Sequence, residues 1–148
     1  MRLGKALVLV AITALLLASA GLPDKPVARA EADHDGLYVV CMTTVLASIV
    51  EQIGGPYVEV EAIVPAGFCP GHYDIRPSDV EAVSKADILL GHIAVFPWVE
   101  KLLQAAGRSV DDLIMLHGAW NTPEGAISYV KNITEILCTH PKTNSTMA

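Results

Sequence analysis

Residues 64–79 read VPAGFCPGHYDIRPSD and separate an alternating apolar run from a run with helical spacing. The prolines and glycines in this stretch are typical of a loop with a defined shape. Open α/β proteins place functional side chains on loops at the carboxyl ends of their strands. His72 is the side chain that such a loop would present here, so we take it as the first candidate functional residue.

The sequence around this loop predicts an α/β fold in which strands and helices alternate about four times. Apolar, β-prone runs at 37–43, 58–64, 88–91 and 111–116 predict the strands, and apolar residues at helical spacing follow each of them. The short connections favour right-handed crossovers. We therefore expect a parallel sheet of about four strands with helices on both faces.

Three helix starts can be predicted from capping residues. Thr43 or Thr44 would cap the first helix, and Thr122 precedes a proline at the start of the last. Ser78 and Glu81 have the spacing of a capping box. Asp79 is then expected to be an exposed acid in the first turn, where it suits the helix dipole.

The N-terminus predicts export. A short basic region, an aliphatic run and a small-residue triplet within residues 1–32 have the layout of a secretory signal peptide followed by a spacer. The alternative is a transmembrane anchor, but the apolar run is shorter than the roughly 20 residues that a spanning helix needs. Outside the cytosol a Cys41–Cys69 disulfide could form, and the alternative is that all cysteines are free thiols.

Composition and motifs exclude several classes of function. The chain has a formal net charge of −6 and no basic face, so it does not suit nucleic acid. Motifs for a nucleophile elbow, a phosphate loop or a helical zinc-protease site are absent from the sequence. We therefore expect no enzyme and no small organic substrate.

Three histidines share one kind of position. His72, His92 and His117 each come just after a predicted strand. Because parallel strands end at the same edge of a sheet, these side chains would lie along one rim. Histidine is a common ligand of transition metals, so the arrangement predicts a divalent metal as the bound species, with zinc, manganese or iron compatible.

The chain resembles the zinc- and manganese-type solute-binding proteins of ABC importers. The resemblance covers about residues 37–140, and its most specific part is the loop at 70–79 that ends in proline, serine and aspartate. It implies a two-lobe clamshell that holds the metal between its lobes. It also implies a periplasmic or cell-surface location and an ABC permease in the membrane as partner.

The same resemblance implies that His72 is the first metal ligand. The family's second histidine ligand lies two residues before a tryptophan, and here Gly118 has that position relative to Trp120. His117 and His92 are the remaining candidates for the second ligand.

The second lobe of such receptors lies outside this sequence. We expect residues 33–140 to be the N-terminal lobe and 141–148 a polar tail at a truncation point. The predicted function is that of a metal receptor for an ABC importer, with a second lobe supplied separately. The alternative is a truncated, exported remnant or interaction module that has lost tight metal binding.

Overall fold

The computed structural model describes residues 36–92 and 96–146, with residues 144–146 described by their backbone alone. The predicted signal peptide and spacer lie outside the described residues. Among the helices that are described, none has the length and apolar character needed to cross a membrane. The elements are β1 Leu37–Thr43, α1 Thr44–Gly54, β2 Val58–Val64, α2 Pro77–Lys85, β3 Ile88–His92, α3 Pro97–Ala105, β4 Leu113–Leu116, α4 Pro123–Thr139 and α5 Pro141–Thr146.

The four strands form one parallel sheet in the order β2-β1-β3-β4, which confirms the predicted α/β class. β1 is an inner strand and is mostly apolar up to Met42, as expected for a strand covered on both faces. Two strand boundaries differ from the prediction. His92 is the last residue of β3 rather than the first loop residue, and β4 begins at Leu113 because Val110–Asp112 form a 3₁₀ turn capped by Ser109.

Helices cover both faces of the sheet. Successive residues of a strand point to opposite faces, so Val39 and Cys41 pack in one core cluster while Val40 and Met42 pack in the other. The first cluster includes apolar residues of α1 and α4, and the second includes those of α2 and α3. The predicted two-sided arrangement is therefore confirmed.

The start of α2 differs from the sequence prediction. The helix begins at Pro77, and the backbone N–H of Arg76 donates to Asp79 Oδ2 at 2.7 Å. The predicted capping box of Ser78 and Glu81 is wrong, because Asp79 takes the capping role while Glu81 pairs with Lys85. The predicted exposure of Asp79 is also wrong, since its side chain is buried.

Residues Pro141–Thr146, within the predicted polar tail, form a short helix, and Lys142 Nζ lies 2.6 Å from Asp87 Oδ1. A further expectation is wrong. The Cys41–Cys69 disulfide is not formed, and Cys41, Cys69 and Cys138 are free thiols. Burial raises the pKa of Cys41 to about 12, with a smaller contribution from Glu51. Cys41 is therefore a small buried apolar residue of the core.

Candidate metal site

The carboxyl ends of the four strands define one edge of the sheet. Thr43 at the end of β1 pairs with Val64 at the end of β2, and His92 pairs with Leu116 at the ends of β3 and β4. The loops that follow β2 and β4 therefore leave from the same edge, and these loops contain His72 and His117. In open α/β folds this edge is the usual place for a ligand.

His72 lies on a short turn that is held from two sides. Residues Pro70–His72 form a 3₁₀ turn, in which the His72 backbone N–H donates to the Cys69 carbonyl oxygen at 3.1 Å. The Trp98 indole N–H donates to the Pro70 carbonyl oxygen at 2.6 Å. The His72 side chain is exposed. The backbone is thus fixed by hydrogen bonds while the imidazole stays open to a ligand.

Tyr73 and Asp79 anchor the other end of this turn. The Tyr73 hydroxyl donates to Asp79 Oδ2 at 2.9 Å, and its ring packs against Trp98 with centroids 5.1 Å apart. Burial and, secondarily, the Asp79 carboxylate raise the pKa of Tyr73 to about 12. The hydroxyl is therefore protonated at neutral pH and remains a donor. Since Tyr73 follows His72 directly, these contacts restrict where the imidazole can lie.

His92 is buried rather than presented to solvent. Its side chain is 3% exposed, and its Nε2 lies 2.7 Å from Thr43 Oγ1. The rings of Trp120 and Tyr129 lie 6.3 and 6.2 Å from the imidazole. Thr43 is the N-cap residue of α1, but its hydroxyl makes no capping bond and contacts His92 instead. Among the described residues, His92 Nδ1 has no hydrogen-bond partner.

This environment predicts a pH dependence of stability. Burial lowers the pKa of His92 below its ordinary value, because desolvation disfavours the charged imidazolium. The unfolded chain then binds a proton more readily than the folded chain. The contribution of neutral His92 to stability is fully present above the unfolded pKa of about 6.5. This contribution decreases as the pH drops through that value towards the lower pKa of the folded state.

Urea unfolding at about pH 8 and about pH 5.5 would measure this loss of stability. We expect His92→Gln to reduce the pH dependence and His117→Gln, at an exposed histidine, to leave it unchanged. An equal loss on acidification in His92→Gln and in the unaltered chain would contradict the prediction.

His117 and Gly118 lie in the loop after β4. His117 is exposed. The Tyr129 hydroxyl donates to the carbonyl oxygens of Leu116 and Gly118, at 3.2 and 3.3 Å, and so fixes this loop against α4. Gly118 has a φ of 118°, which side chains rarely adopt, although a Cβ there would meet Tyr129 only at an ordinary contact distance of 3.9 Å. Backbone conformation, rather than lack of space, thus disfavours a histidine at this position.

The three histidines share an edge but do not form one coordination sphere. Across residues 36–92 and 96–146, no three histidine, cysteine or carboxylate side chains are placed so that they could hold one metal ion. His72 and His117 are exposed, whereas His92 is enclosed beneath the edge. Sequence reasoning missed Thr43, Tyr73, Asp79 and Trp98 as the residues that position the histidines. The sequence did contain a signal for two of them. The aromatic residue Tyr73 precedes Pro77 in the loop, and Asp79 follows it at the start of the helix.

The described residues thus form an α/β lobe with an ordered, histidine-bearing loop at the carboxyl edge of its sheet. Residues 39–147 match the family described as zinc-uptake complex component A, periplasmic, and the chain belongs to this family. The description of this family names a periplasmic component of zinc uptake. The match does not favour the alternative of a remnant that has lost metal binding.

Individual relatives agree with this membership. The chain is 28% identical to the iron ABC transporter substrate-binding lipoprotein MtsA of Streptococcus pyogenes, over 78% of this chain and 46% of the relative. It is also 28% identical to the manganese ABC transporter substrate-binding lipoprotein PsaA of Streptococcus pneumoniae, over 76% and 44%. The chain thus spans about half the length of these relatives.

Solved structures show the same fold. Zn(II)-bound AdcA from Streptococcus pneumoniae superposes with a TM-score of 0.57 at 21% identity, over 72% of this chain and 26% of that one. The Mn-bound periplasmic metal-binding protein from Candidatus Liberibacter asiaticus gives 0.56 at 18% identity, over 74% and 48%. The predicted single α/β lobe is confirmed.

Proposed function

We propose that this chain is the metal-receiving lobe of an ABC importer receptor and that His72 is a ligand of the transported ion. The observation that carries the proposal is the exposed imidazole of His72 on a turn fixed by Trp98 and by the Tyr73–Asp79 pair. A ligand whose backbone is already ordered loses less conformational entropy when the metal binds.

The cargo in this proposal is a divalent transition metal. A neutral imidazole nitrogen suits zinc and iron, and oxygen ligands suit manganese. The relatives are named for iron and manganese uptake or were solved with zinc or manganese. Since transport sites need several ligands, we propose that His72 acts with ligands from a second lobe. His117 is the open candidate on this lobe, whereas His92 would have to leave Thr43.

The proposed setting is the periplasm or cell surface, where the receptor passes its ion to a membrane permease. The names of the relatives, which are substrate-binding lipoproteins of ABC transporters, support this setting.

Calorimetric titration of the full chain with zinc tests the proposal. We expect His72→Ala to weaken zinc binding by about tenfold or more, because the ion loses a directly bound nitrogen. His140→Ala is the matched control, since His140 lies at the end of α4, away from the site loop. Circular dichroism should show that both variants remain folded. Equal zinc affinity in the unaltered chain and in His72→Ala would overturn the assignment.

A further inference from the structure

We propose that Cys69 and His72 form a two-residue metal clamp that makes this lobe prefer zinc to manganese. The inference rests on the proposed function, because it assigns a second ligand and a metal preference to the same turn. The two residues are separated by two positions in the sequence and belong to one turn in the fold.

The turn brings the backbones of the two residues close to each other. Cys69, Pro70, Gly71 and His72 form a turn closed by the hydrogen bond from the His72 N–H to the Cys69 carbonyl oxygen, at 3.1 Å. Such a bond keeps the first and fourth Cα atoms within about 7 Å of each other. Both side chains are exposed and neither is taken up by the core. Two intervening residues are also the spacing with which structural zinc sites take a pair of ligands from one turn.

The position of the Cys69 thiol follows from its distance to Gly71. The nearest atoms to a Cβ built at Gly71 would be Cys69 Sγ at 3.8 Å and a ring carbon of Phe96 at 3.9 Å. The thiol therefore lies beside Gly71, on the segment that leads directly to His72. The Trp98 bond to Pro70 holds the middle of the same segment. The sulfur and the imidazole are thus presented by one ordered piece of backbone.

The other two cysteines cannot take this role. Cys41 lies buried within the core cluster that faces α1 and α4. Cys138 is exposed but lies near the end of α4, which starts at the site edge and runs away from it. At 1.5 Å per residue, that position is about 20 Å along the helix axis from its start. Cys138 is therefore a matched control for Cys69.

The chemistry of the pair determines the metal preference. Zinc binds sulfur and imidazole ligands, whereas manganese prefers oxygen ligands. On binding, the Cys69 thiol releases its proton to solvent and its sulfur donates an electron pair to the ion, without any change of oxidation state. Two ligands from this turn leave the remaining coordination positions of the zinc ion to ligands from a second lobe or to water.

The test uses the full chain under reducing conditions, with zinc, manganese and cobalt(II) as probes. We expect Cys69→Ser to weaken zinc binding by about tenfold or more and to change manganese binding much less. With cobalt(II), a thiolate ligand gives a charge-transfer absorption in the near ultraviolet, which should disappear in Cys69→Ser. Cys138→Ser should keep both the zinc affinity and the absorption.

The outcomes separate this inference from the proposed function. If His72→Ala loses zinc while Cys69→Ser keeps its affinity or its cobalt absorption, the clamp is overturned and the function of His72 stands. If neither substitution changes zinc binding, both proposals fail. Loss of the absorption in Cys138→Ser would also overturn the clamp, because the thiolate would then come from elsewhere.

Discussion

Asp79→Ala is expected to lower the free energy of unfolding by about 3 kcal/mol. The Asp79 carboxylate is 5% exposed and accepts hydrogen bonds from the Tyr73 hydroxyl and the Arg76 N–H, at 2.9 and 2.7 Å. Removing it leaves the phenol hydroxyl without its partner in a buried position and leaves the first turn of α2 without its cap. Unpaired buried donors and lost caps each cost about 1–2 kcal/mol.

Urea denaturation followed by circular dichroism would measure this change. Asp74→Ala is the matched control, because Asp74 is an exposed aspartate of the same loop, and we expect it to change stability by less than about 0.5 kcal/mol. Tyr73→Phe should cost about 1 kcal/mol, since it removes one hydrogen bond but keeps the ring packed on Trp98. A destabilisation by Asp79→Ala no larger than that of Asp74→Ala would contradict the account of this anchor.

The loss of Asp79 should also weaken zinc binding by His72, the candidate ligand. Tyr73 is the neighbour of His72, and its bond to Asp79 ties the turn to the start of α2. If that bond is lost, His72 must be ordered when the metal binds, and zinc affinity should fall even though no ligand is removed.

The strands and helices of this fold could be predicted from sequence because their apolar residues recur in runs or at helical spacing. The apolar runs of β1 and β2 have the predicted bounds, and the alternation of strands and helices leads to the observed parallel sheet. The capping residues could not be assigned by pattern alone. Ser78 and Glu81 have the spacing of a capping box, but the helix begins at Pro77, two residues earlier than that box requires, and Asp79 therefore takes the capping role.

The edge of the sheet was predictable, but the directions of its side chains were not. The local sequence around a histidine at the end of a strand does not show whether its side chain faces a ligand or the interior. His92 is enclosed because Trp120 and Tyr129 lie close to it and Thr43 bonds to it, and these residues are far from it in sequence. Such long-range contacts decide between a ligand and a buried residue, and the local pattern around His92 does not contain them.

Gly125→Ala is expected to destabilise the protein by about 2–3 kcal/mol, against the usual effect of this substitution in a helix. Helix propensity alone would predict a gain of about 1 kcal/mol, because alanine is the better helix former. At Gly125, however, a methyl group would overlap the carbonyl oxygen of Ala119 and lie 3.0 Å from Thr122 Oγ1. That carbonyl oxygen accepts hydrogen bonds from the Thr122 N–H and hydroxyl, both at 3.1 Å, so it cannot move without opening the turn.

Thermal or urea unfolding of Gly125→Ala decides between these two effects, since they have opposite signs. Ser128→Ala, at an exposed position of the same helix, is the control and should stay within about 0.5 kcal/mol of the unaltered chain. A more stable Gly125→Ala would show that the loop before α4 is not packed against the start of the helix. A less stable one would mean that Gly125 is needed for the tight turn between Ala119 and Thr122 that leads into α4.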